Sequence, residues 1–416
     1  MPASRDELLR SLERQKLLLS ESIVLTPVDS LPFGLADRDR TSFLHGLYLT
    51  DKVRDKAARM DAVVQFGGRE QTAEDLAAIH RLFAHAFGAS TGSLRLLSGL
   101  QAHAATFMSI SAIGQTVMLL SEEAGGHFST RAIFERLGLR TLDLPIDPER
   151  MCIDRAATEE LVERERPEFV FVDRSEGLRY EDFSFIGRLE GTTTVFDASQ
   201  FVTPILTGRY ENPLAWGFDL MLFTLHKNFP GPQKAAILGR EEGDLWKRLV
   251  AGLSTMVSSS HAENTYLAGL TLLREEWLER YVQRLLGTAA GLEAALAQRG
   301  VQVLPRSRQG DPRWPVTHHI WVLAEDREAA FAQYEGLTSV RIHTNYRKLP
   351  YGLGYGLRLG TSFSSVAGIG DAHLEELADI VATTIASGPS ASLQERVGRL
   401  AAEARTSAIL PAEYWT

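Results

Sequence analysis

Several polar residues fall where apolar runs of this chain end, and their types can do chemistry. The largely apolar run from Phe218 to Leu225 closes on His226-Lys227, and Asn228-Phe229-Pro230-Gly231-Pro232 then forces a rigid turn. A lysine delivered by a buried strand is desolvated, which disfavours its ammonium form and leaves a nucleophilic amine able to form a Schiff base. The plainer alternative is a lysine that ends a strand and points into water. Thr194-Val195-Phe196 closes in the same way on Asp197, which suits a protonated ring nitrogen, or else a turn or cap. Ser98-Gly99-Leu100-Gln101 reads as a strand-to-helix turn, where unpaired N–H groups and the helix dipole favour an anion such as phosphate. His127, after Gly125-Gly126, could lie flat against a ring or be structural. Arg358, inside the strand-like run Gly356-Leu357-Arg358-Leu359-Gly360-Thr361, calls for an anionic partner, and a carboxylate suits its fork geometry.

The elements that must position these residues alternate. A helix start near Thr72 and Asp75 leads into Leu76, Ile79, Leu82, Phe83 and Phe87 at helical spacing. Strands are expected at Leu94–Leu97, Val117–Leu120, Thr141–Pro145, Phe169–Val172, Thr194–Asp197 and Leu220–Leu225. Helices are expected at Thr130–Leu137 and Ala157–Arg166, and another after Ser98. Continuous apolar strands alternating with helices imply a mainly parallel sheet covered on both faces, with ligands beyond its carboxyl edge. Ser98, Ser175, Asp197 and Lys227 all fall at or just past such strand ends. One long helical stretch, about Glu263–Arg299, follows, and after Gly300 short strands mix with helices at about Glu325–Tyr334, Asp371–Ile385 and Ser392–Arg405. The expected plan is α/β: an N-terminal helical arm over 1–60, a large domain over 61–300 and a smaller α+β domain over 301–416. Residues 4–19 form an amphipathic helix with Leu8, Leu12 and Leu19 on one face, an arm suited to wrapping a neighbour. Residues 40–63 carry no clear period.

Composition bounds the rest. A chain of 416 residues exceeds one simple core, and 44% apolar with 23% charged residues is ordinary for a globular protein. A net charge of −9 argues against nucleic acid or an anionic membrane as the main partner. The single Cys152 excludes an intrachain disulfide and a cysteine-built metal site, and fits a reducing cytoplasm. No apolar run reaches the ~18 residues a membrane span needs, and the N-terminus does not read as a signal peptide. No metal is expected.

An amine at Lys227, an acid at Asp197, phosphate donors at Ser98–Leu100 and a ring platform at His127 together meet the needs of an aldehyde cofactor with a phosphate and a ring nitrogen. Along almost its whole length the chain resembles the serine hydroxymethyltransferase branch of fold-type I pyridoxal-phosphate enzymes. Phe196-Asp197-Ala198-Ser199-Gln200, Asn212-Pro213 and Thr224-Leu225-His226-Lys227 are similar to the family's Asp-x-Ala-His, Asn-Pro and Thr-Thr-His-Lys segments, in order. Ser98-Gly99-Leu100-Gln101-Ala102, Gly125-Gly126-His127, Thr317-His318-His319 and the Arg358 segment resemble further family blocks. The resemblance implies pyridoxal 5′-phosphate as cofactor, held by Ser98, Gly99, Leu100, His127, Ser175, Asp197, Gln200, Thr224, His226, Lys227 and Ser260. It implies Ser20 and Arg358 on the substrate carboxylate, Lys227, His127 and His226 as catalytic groups, and a homodimer.

The departures bear on the reaction. Where the family carries its acid/base glutamate this chain has Ala58, and Gln65-Phe66 replace a tyrosine pair. Gln200 replaces a histidine, Pro230 an arginine, and Ser258-Ser259-Ser260-His261 a glycine-rich loop. Folate-dependent hydroxymethyl transfer is therefore not expected. The first reading is folate-independent Cα–Cβ cleavage and formation on a β-hydroxy-α-amino acid, of the threonine aldolase or transaldolase type, with an aldehyde as second substrate. His127, His226 or His103 would then carry the proton. The alternative is an oxygen-using decarboxylation of such an amino acid to a carboxamide, as in natural-product pathways. A non-catalytic cofactor-binding scaffold is a third possibility, and the joint presence of Asp197, Lys227 and Arg358 argues against it.

Overall fold

A computed structural model describes residues 4–32, 37–304 and 317–409, and these fall into two compact units. One contains the described parts of Met1–Leu31, Gly177–Tyr180 and Glu279–Thr416; the other contains Pro32–Glu176 and Glu181–Leu278.

The second unit is built on a seven-stranded sheet. Its strands are β1 (Thr91–Ser93), β2 (Thr116–Leu119), β3 (Arg140–Asp143), β4 (Phe169–Asp173), β5 (Thr193–Asp197), β6 (Leu220–Thr224) and β7 (Ala235–Gly239), in the order β1-β7-β6-β5-β4-β2-β3. Strands β6, β5, β4, β2 and β3 are mutually parallel, whereas β7 runs antiparallel to both its neighbours. Every residue of β4 and β6 is buried, which is why these strands read as unbroken apolar runs. Helices Gly99–Ile110 and Asp244–Met256 help cover the sheet, and Phe107, Phe134, Phe169 and Phe171 interlock beneath them, with Phe107 and Phe134 centroids 4.1 Å apart. Phe107 is fully buried, so truncation to alanine would cost about 3–5 kcal/mol and loosen the helix that begins at Ser98.

The other unit holds a four-stranded antiparallel sheet of β8 (Val303–Leu304), β9 (His319–Leu323), β10 (Asn345–Lys348) and β11 (Tyr355–Gly360), in the order β8-β9-β11-β10. Its core sets Val322, Leu357 and Leu359 against Ile380 and Val397 of the helices Leu374–Ser387 and Ala391–Arg405. The N-terminal helix Arg5–Ser20 starts with a capping box between Ser4 and Glu7. Leu8 and Leu12, on its expected apolar face, are half exposed, at 50% and 53%.

Several elements differ from the sequence expectation, each for a local reason. Leu94–Leu97 is not a strand. Arg95 N–H is taken by Ser93 Oγ and Leu97 N–H by Gln101 Oε1, so the ladder stops at Ser93 although Leu94 and Leu96 are fully buried. The stretch Glu263–Arg299 is two helices, Ala262–Leu272 and Glu275–Gln298. Between them Arg274 pairs with Asp37 at 2.9 Å, and its carbonyl accepts from the N–H groups of Trp277 and Leu278 to start the second helix. The helix expected from Thr72 begins at Glu70, and Asp75 accepts instead from the Tyr266 hydroxyl and from Gln71. Within 40–63 a short helix, Lys56–Met60, is capped by Asp55, whose carboxylate accepts from Ala58 N–H. No helix among the described residues is long and apolar enough to cross a membrane.

Candidate active site

The parallel strands β4, β5 and β6 deliver their last residues to one edge of the sheet, with Asp173 directly opposite Asp197 and Asp197 opposite Leu222. Each Asp197 oxygen has its own partner. Oδ1 accepts from Ser199 N–H at 2.8 Å in a tight turn, and Ser199 Oγ in turn accepts from Thr224 N–H at 3.0 Å. Oδ2 accepts from His103 Nε2 at 2.7 Å, and His103 Nδ1 lies 3.0 Å from Thr130 Oγ1. The helix Gly99–Ile110 thus supplies a buried imidazole to the carboxylate at the end of β5. Burial pushes the Asp197 carboxyl upward, but the His103 bond and charge, Lys227 and Ser199 outweigh it and hold it below the ordinary range.

Asp173 is a second buried carboxylate at this edge. The Asp173, Asp197 and His103 polar atoms lie within 4.8 Å of one another. Burial raises the Asp173 carboxyl, and the Asp197 charge raises it further. Its oxygens accept from Ser175 Oγ at 2.7 Å and from His127 N–H at 3.2 Å. The predicted residues Ser175 and His127 are therefore tied to a group the sequence reading did not single out. His127 stacks on Phe128 with centroids 4.6 Å apart, and its Nδ1 accepts from Ser129 N–H. The bend before it depends on Gly126, where a Cβ would come within 2.3 Å of the Leu120 carbonyl oxygen.

At the start of helix Gly99–Ile110 the Ser98 side chain makes no capping bond, and the first turn has N–H groups without intrahelical acceptors. A Cβ on Gly99 would meet the Thr224 methyl at 2.9 Å, so this helix end lies directly on the end of β6. Thr224 Oγ1 is buried there without a hydrogen-bond partner. Three residues on, Lys227 is half buried within a turn closed by Leu225, whose N–H donates to the Lys234 carbonyl and whose own carbonyl accepts from Gly231 N–H. Asn228, fully buried, pins the turn by accepting from Thr203 N–H at 2.8 Å, while its carbonyl accepts from the Thr203 hydroxyl. His226 Nδ1 lies 3.2 Å from the Lys234 carbonyl oxygen, and burial, with the Lys227 charge, pushes its imidazole down to about 4. Gln200 is buried beside the Ser175 carbonyl.

The other lysine of this loop, Lys234, is fully buried, and its ammonium donates to the Ser260 carbonyl. Burial lowers it to about 7, with Arg95 acting in the same direction and Asp51 opposing. Asp51 also receives Arg95 and faces His80 Nδ1 at 3.3 Å. Ser260 Oγ is buried without a hydrogen-bond partner.

Ser20 and Arg358 belong to the other unit. Arg358 is buried on β11, opposite Trp321 of β9 and Asn345 of β10. The Ser20 hydroxyl donates to the Leu17 carbonyl at 2.7 Å. In the same unit Gly177 crosses the His319 ring, where a Cβ would come within 2.3 Å of Nε2. Sequence reasoning missed Asp173, Ser199, Asn228, Thr130 and Lys234. Asp173 had a readable signal, because Phe169-Val170-Phe171-Val172-Asp173 repeats the pattern of an apolar strand closing on an aspartate.

The second unit's strand edge can hold a flat ring, with a basic nitrogen against Asp197 and a phosphate against the helix end at Ser98 and Thr224. Relatives of the chain make such use of the fold intelligible. The chain is 34% identical to the fluorothreonine transaldolase of Streptantibioticus cattleyicolor over 325 residues, 77% of this chain, and spans about half (50%) of that protein's length. It is 31% identical to the L-threonine:uridine-5′-aldehyde transaldolase of a Streptomyces species over 321 residues, 74% of each chain. It is 28% identical to the serine hydroxymethyltransferase of Archaeoglobus fulgidus over 313 residues, 72% of this chain and 70% of that one. The crystal structure of L-threonine transaldolase from Pseudomonas fluorescens superposes with a TM-score of 0.88 at 22% identity, over 98% of this chain and 94% of that one, and so shares the fold. No family model matches the chain.

Proposed function

The chain belongs to the serine hydroxymethyltransferase-like family of pyridoxal-phosphate enzymes that includes the threonine transaldolases, and from that premise we propose that it is itself a folate-independent L-threonine transaldolase. Pyridoxal 5′-phosphate is its cofactor, and the residues present fit that group. Thr224 and Ser260 hold buried hydroxyls without partners, and Gly99 lies flat on Thr224 where a Cβ would collide. When bound, the cofactor supplies an electron sink for the pair left at Cα when the Cα–Cβ bond of threonine breaks. Lys227 Nζ would be the covalent attachment point, and Asp197, kept ionised by His103 and Ser199, would face the protonated ring nitrogen. Ser98, Gly99, Leu100 and Thr224 take the phosphate, with Ser260 as a further candidate. His127 and Ser175, both anchored to Asp173, bound the ring.

In the reaction the threonine hydroxyl loses its proton, Cα–Cβ breaks and acetaldehyde leaves. Cα then forms a bond to the carbonyl carbon of the second aldehyde, and the proton returns to the new alkoxide. His226 is our candidate for holding that proton. Its Nδ1 faces the Lys234 main chain, 3.2 Å from the carbonyl oxygen and 3.4 Å from the N–H, and the imidazole is neutral at neutral pH. Arg358 and Ser20 are assigned to the amino-acid carboxylate. The exposed leucines of Arg5–Ser20 support a homodimer in which that arm covers a second copy.

The observation that carries this reading is a His103-held Asp197 at the end of β5, with the neighbouring parallel strand β6 leading into the Lys227 turn and an anion-ready helix end at Thr224. The named relatives are transaldolases and hydroxymethyltransferases, and none of them favours the oxygen-using alternative. Incubation of the yellow holoenzyme with L-threonine and an aldehyde should release acetaldehyde in step with a new β-hydroxy amino acid, with no oxygen uptake and no dependence on tetrahydrofolate. Oxygen consumption with carbon dioxide release in place of acetaldehyde would overturn it.

A further inference from the structure

The second unit holds a cavity of about 410 Å³ that the chemistry above does not use. Its walls come from the segment around 48–74, from Arg95 and from the 254–258 stretch. Five cations, Lys52, Arg54, Arg59, Arg69 and Arg95, line it against only Glu70 and Glu74, in a chain whose net charge is −9. Two of the five are matched: Arg59 pairs with Glu70 at 3.2 Å, and Arg95 is held by Asp51. Arg54 donates to the Val64 carbonyl and to Gln65 Oε1, both neutral, and among the described residues it has no ion pair. Arg69 Nε is buried with no hydrogen-bond partner. Lys52 has no ion pair among the described residues; burial lowers its ammonium, with Arg95 and Arg54 adding repulsion and Asp51 opposing. Crowded cations carry a desolvation and repulsion cost that an anion would relieve. Beside them Tyr48 and Phe66 rings meet with centroids 4.9 Å apart, an apolar wall suited to a planar group.

Two segments that line the cavity run on along the chain into segments of the cofactor site. Arg95 lies three residues before Ser98. Ser258, on the cavity wall, lies two residues before Ser260, whose carbonyl receives the Lys234 ammonium, and the Lys234 main chain meets His226.

We propose that this cavity selects the acceptor, an aldehyde bearing an anionic group (carboxylate or phosphate) on a planar ring. The inference rests on the transaldolase reading for the acceptor's role, while the anion site itself can be tested without turnover. Acceptor preference is read with holoenzyme and L-threonine as acetaldehyde release against 4-formylbenzoate, 4-formylphenyl phosphate and the neutral isostere 4-formylbenzamide. The anionic pair should show a KM at least tenfold below the amide, and comparison of the two anions separates carboxylate from phosphate. Arg54→Gln with Arg69→Gln should erase that advantage, raising the KM for the anions and leaving that for the amide within about twofold. In parallel, benzoate and phenyl phosphate are titrated into wild type and the double variant by calorimetry, with benzamide as control. Binding of the anions that weakens at least tenfold in the variant supports the site. Acetaldehyde release that ignores acceptor charge overturns the proposal and leaves the transaldolase reading standing. If no aldehyde elicits acetaldehyde, that reading fails, and calorimetry alone decides whether the cavity binds anions. Equal or absent binding in both proteins overturns the site.

Discussion

Replacing Lys234 by methionine should stabilise the protein near neutral pH, and the gain should disappear in alkali. Lys234 is fully buried, and its ammonium is held at about 7 against an ordinary 10.5, first by burial. The difference, 10.5 − 7, is about 3.5 units, or ~5 kcal/mol of cost to the folded state when both states are protonated. The sign follows from proton binding: between about 7 and 10.5 the unfolded chain holds a proton that the folded chain has released, so stability rises with pH across that window. At pH 7 the two-state binding expression gives a penalty of about 4 kcal/mol, and at pH 9.5 about 1 kcal/mol. Wild type should therefore gain ~3 kcal/mol on Lys234→Met between these pH values. Methionine fills similar volume and leaves the Ser260 carbonyl without its donor, a cost of about 1–3 kcal/mol that offsets part of the gain but does not vary with pH. Urea unfolding of both proteins at pH 7, 8 and 9.5 reads the difference directly. Parallel stability curves would refute the burial argument, because only a group titrating differently in the folded state can bend one against the other.

Four further outcomes follow from the site. Lys227→Ala should bind no covalent chromophore, and borohydride reduction of the wild-type holoenzyme should label the peptide at Lys227 and leave Lys234 unlabelled; a label on Lys234 would reverse the assignment. His103→Asn should weaken cofactor binding by about 1.5–3 kcal/mol, because the ionised Asp197 loses a buried donor; a spectral Kd within twofold of wild type would remove His103 from its positioning role. Arg358→Ala should weaken the spectral response to L-threonine by roughly 2–5 kcal/mol, as for a lost buried charge pair, and an unchanged titration would exclude it from the carboxylate. The acid limb of kcat/KM for acetaldehyde release should fall near pH 4, where His226 takes a proton, and not near 6.5; a limb near 6.5 points to another group.

The parallel sheet was legible because its central strands are buried on both faces, so apolar runs such as Leu220–Thr224 mark them without ambiguity. Asp197 and Lys227 were legible for the same reason: a charge closing an apolar run has to face something. What the sequence could not carry were contacts between residues far apart in the chain. His103 meets Asp197 across 94 positions, and nothing in Gln101-Ala102-His103 distinguishes that imidazole from an ordinary core histidine. Lys234 stands between Gln233 and an apolar strand, with no local sign that its ammonium is sealed against Ser260. The break at Leu273–Arg274 has neither glycine nor proline, and depends on Asp37 more than two hundred residues away. Short-range donors misled in the other direction: Leu94–Leu97 looks like a strand, but Ser93 and Gln101 side chains take its N–H groups.

The missing family glutamate can now be weighed against what the chain offers in its place. Ala58, which the sequence reading matched to that glutamate, sits in a short helix where its N–H is spent on the Asp55 cap. Asp173 is no substitute, since both its oxygens are engaged by Ser175 and His127, with burial and the Asp197 charge raising its carboxyl. His103 is committed on both nitrogens to Asp197 and Thr130. His127 uses Nδ1 for Ser129. Among these groups His226 combines a ring that is neutral at neutral pH with a place one residue from Lys227, its Nδ1 facing only the Lys234 main chain in the contacts described above. A weak base suits an aldol exchange, in which the proton taken from one hydroxyl is returned to the next within the same site. Folate chemistry would require a residue at position 58 that can hold and release a proton, so Ala58→Glu without any gain of tetrahydrofolate-stimulated serine cleavage is consistent with a site rebuilt around His226 and the cationic wall of Arg54 and Arg69.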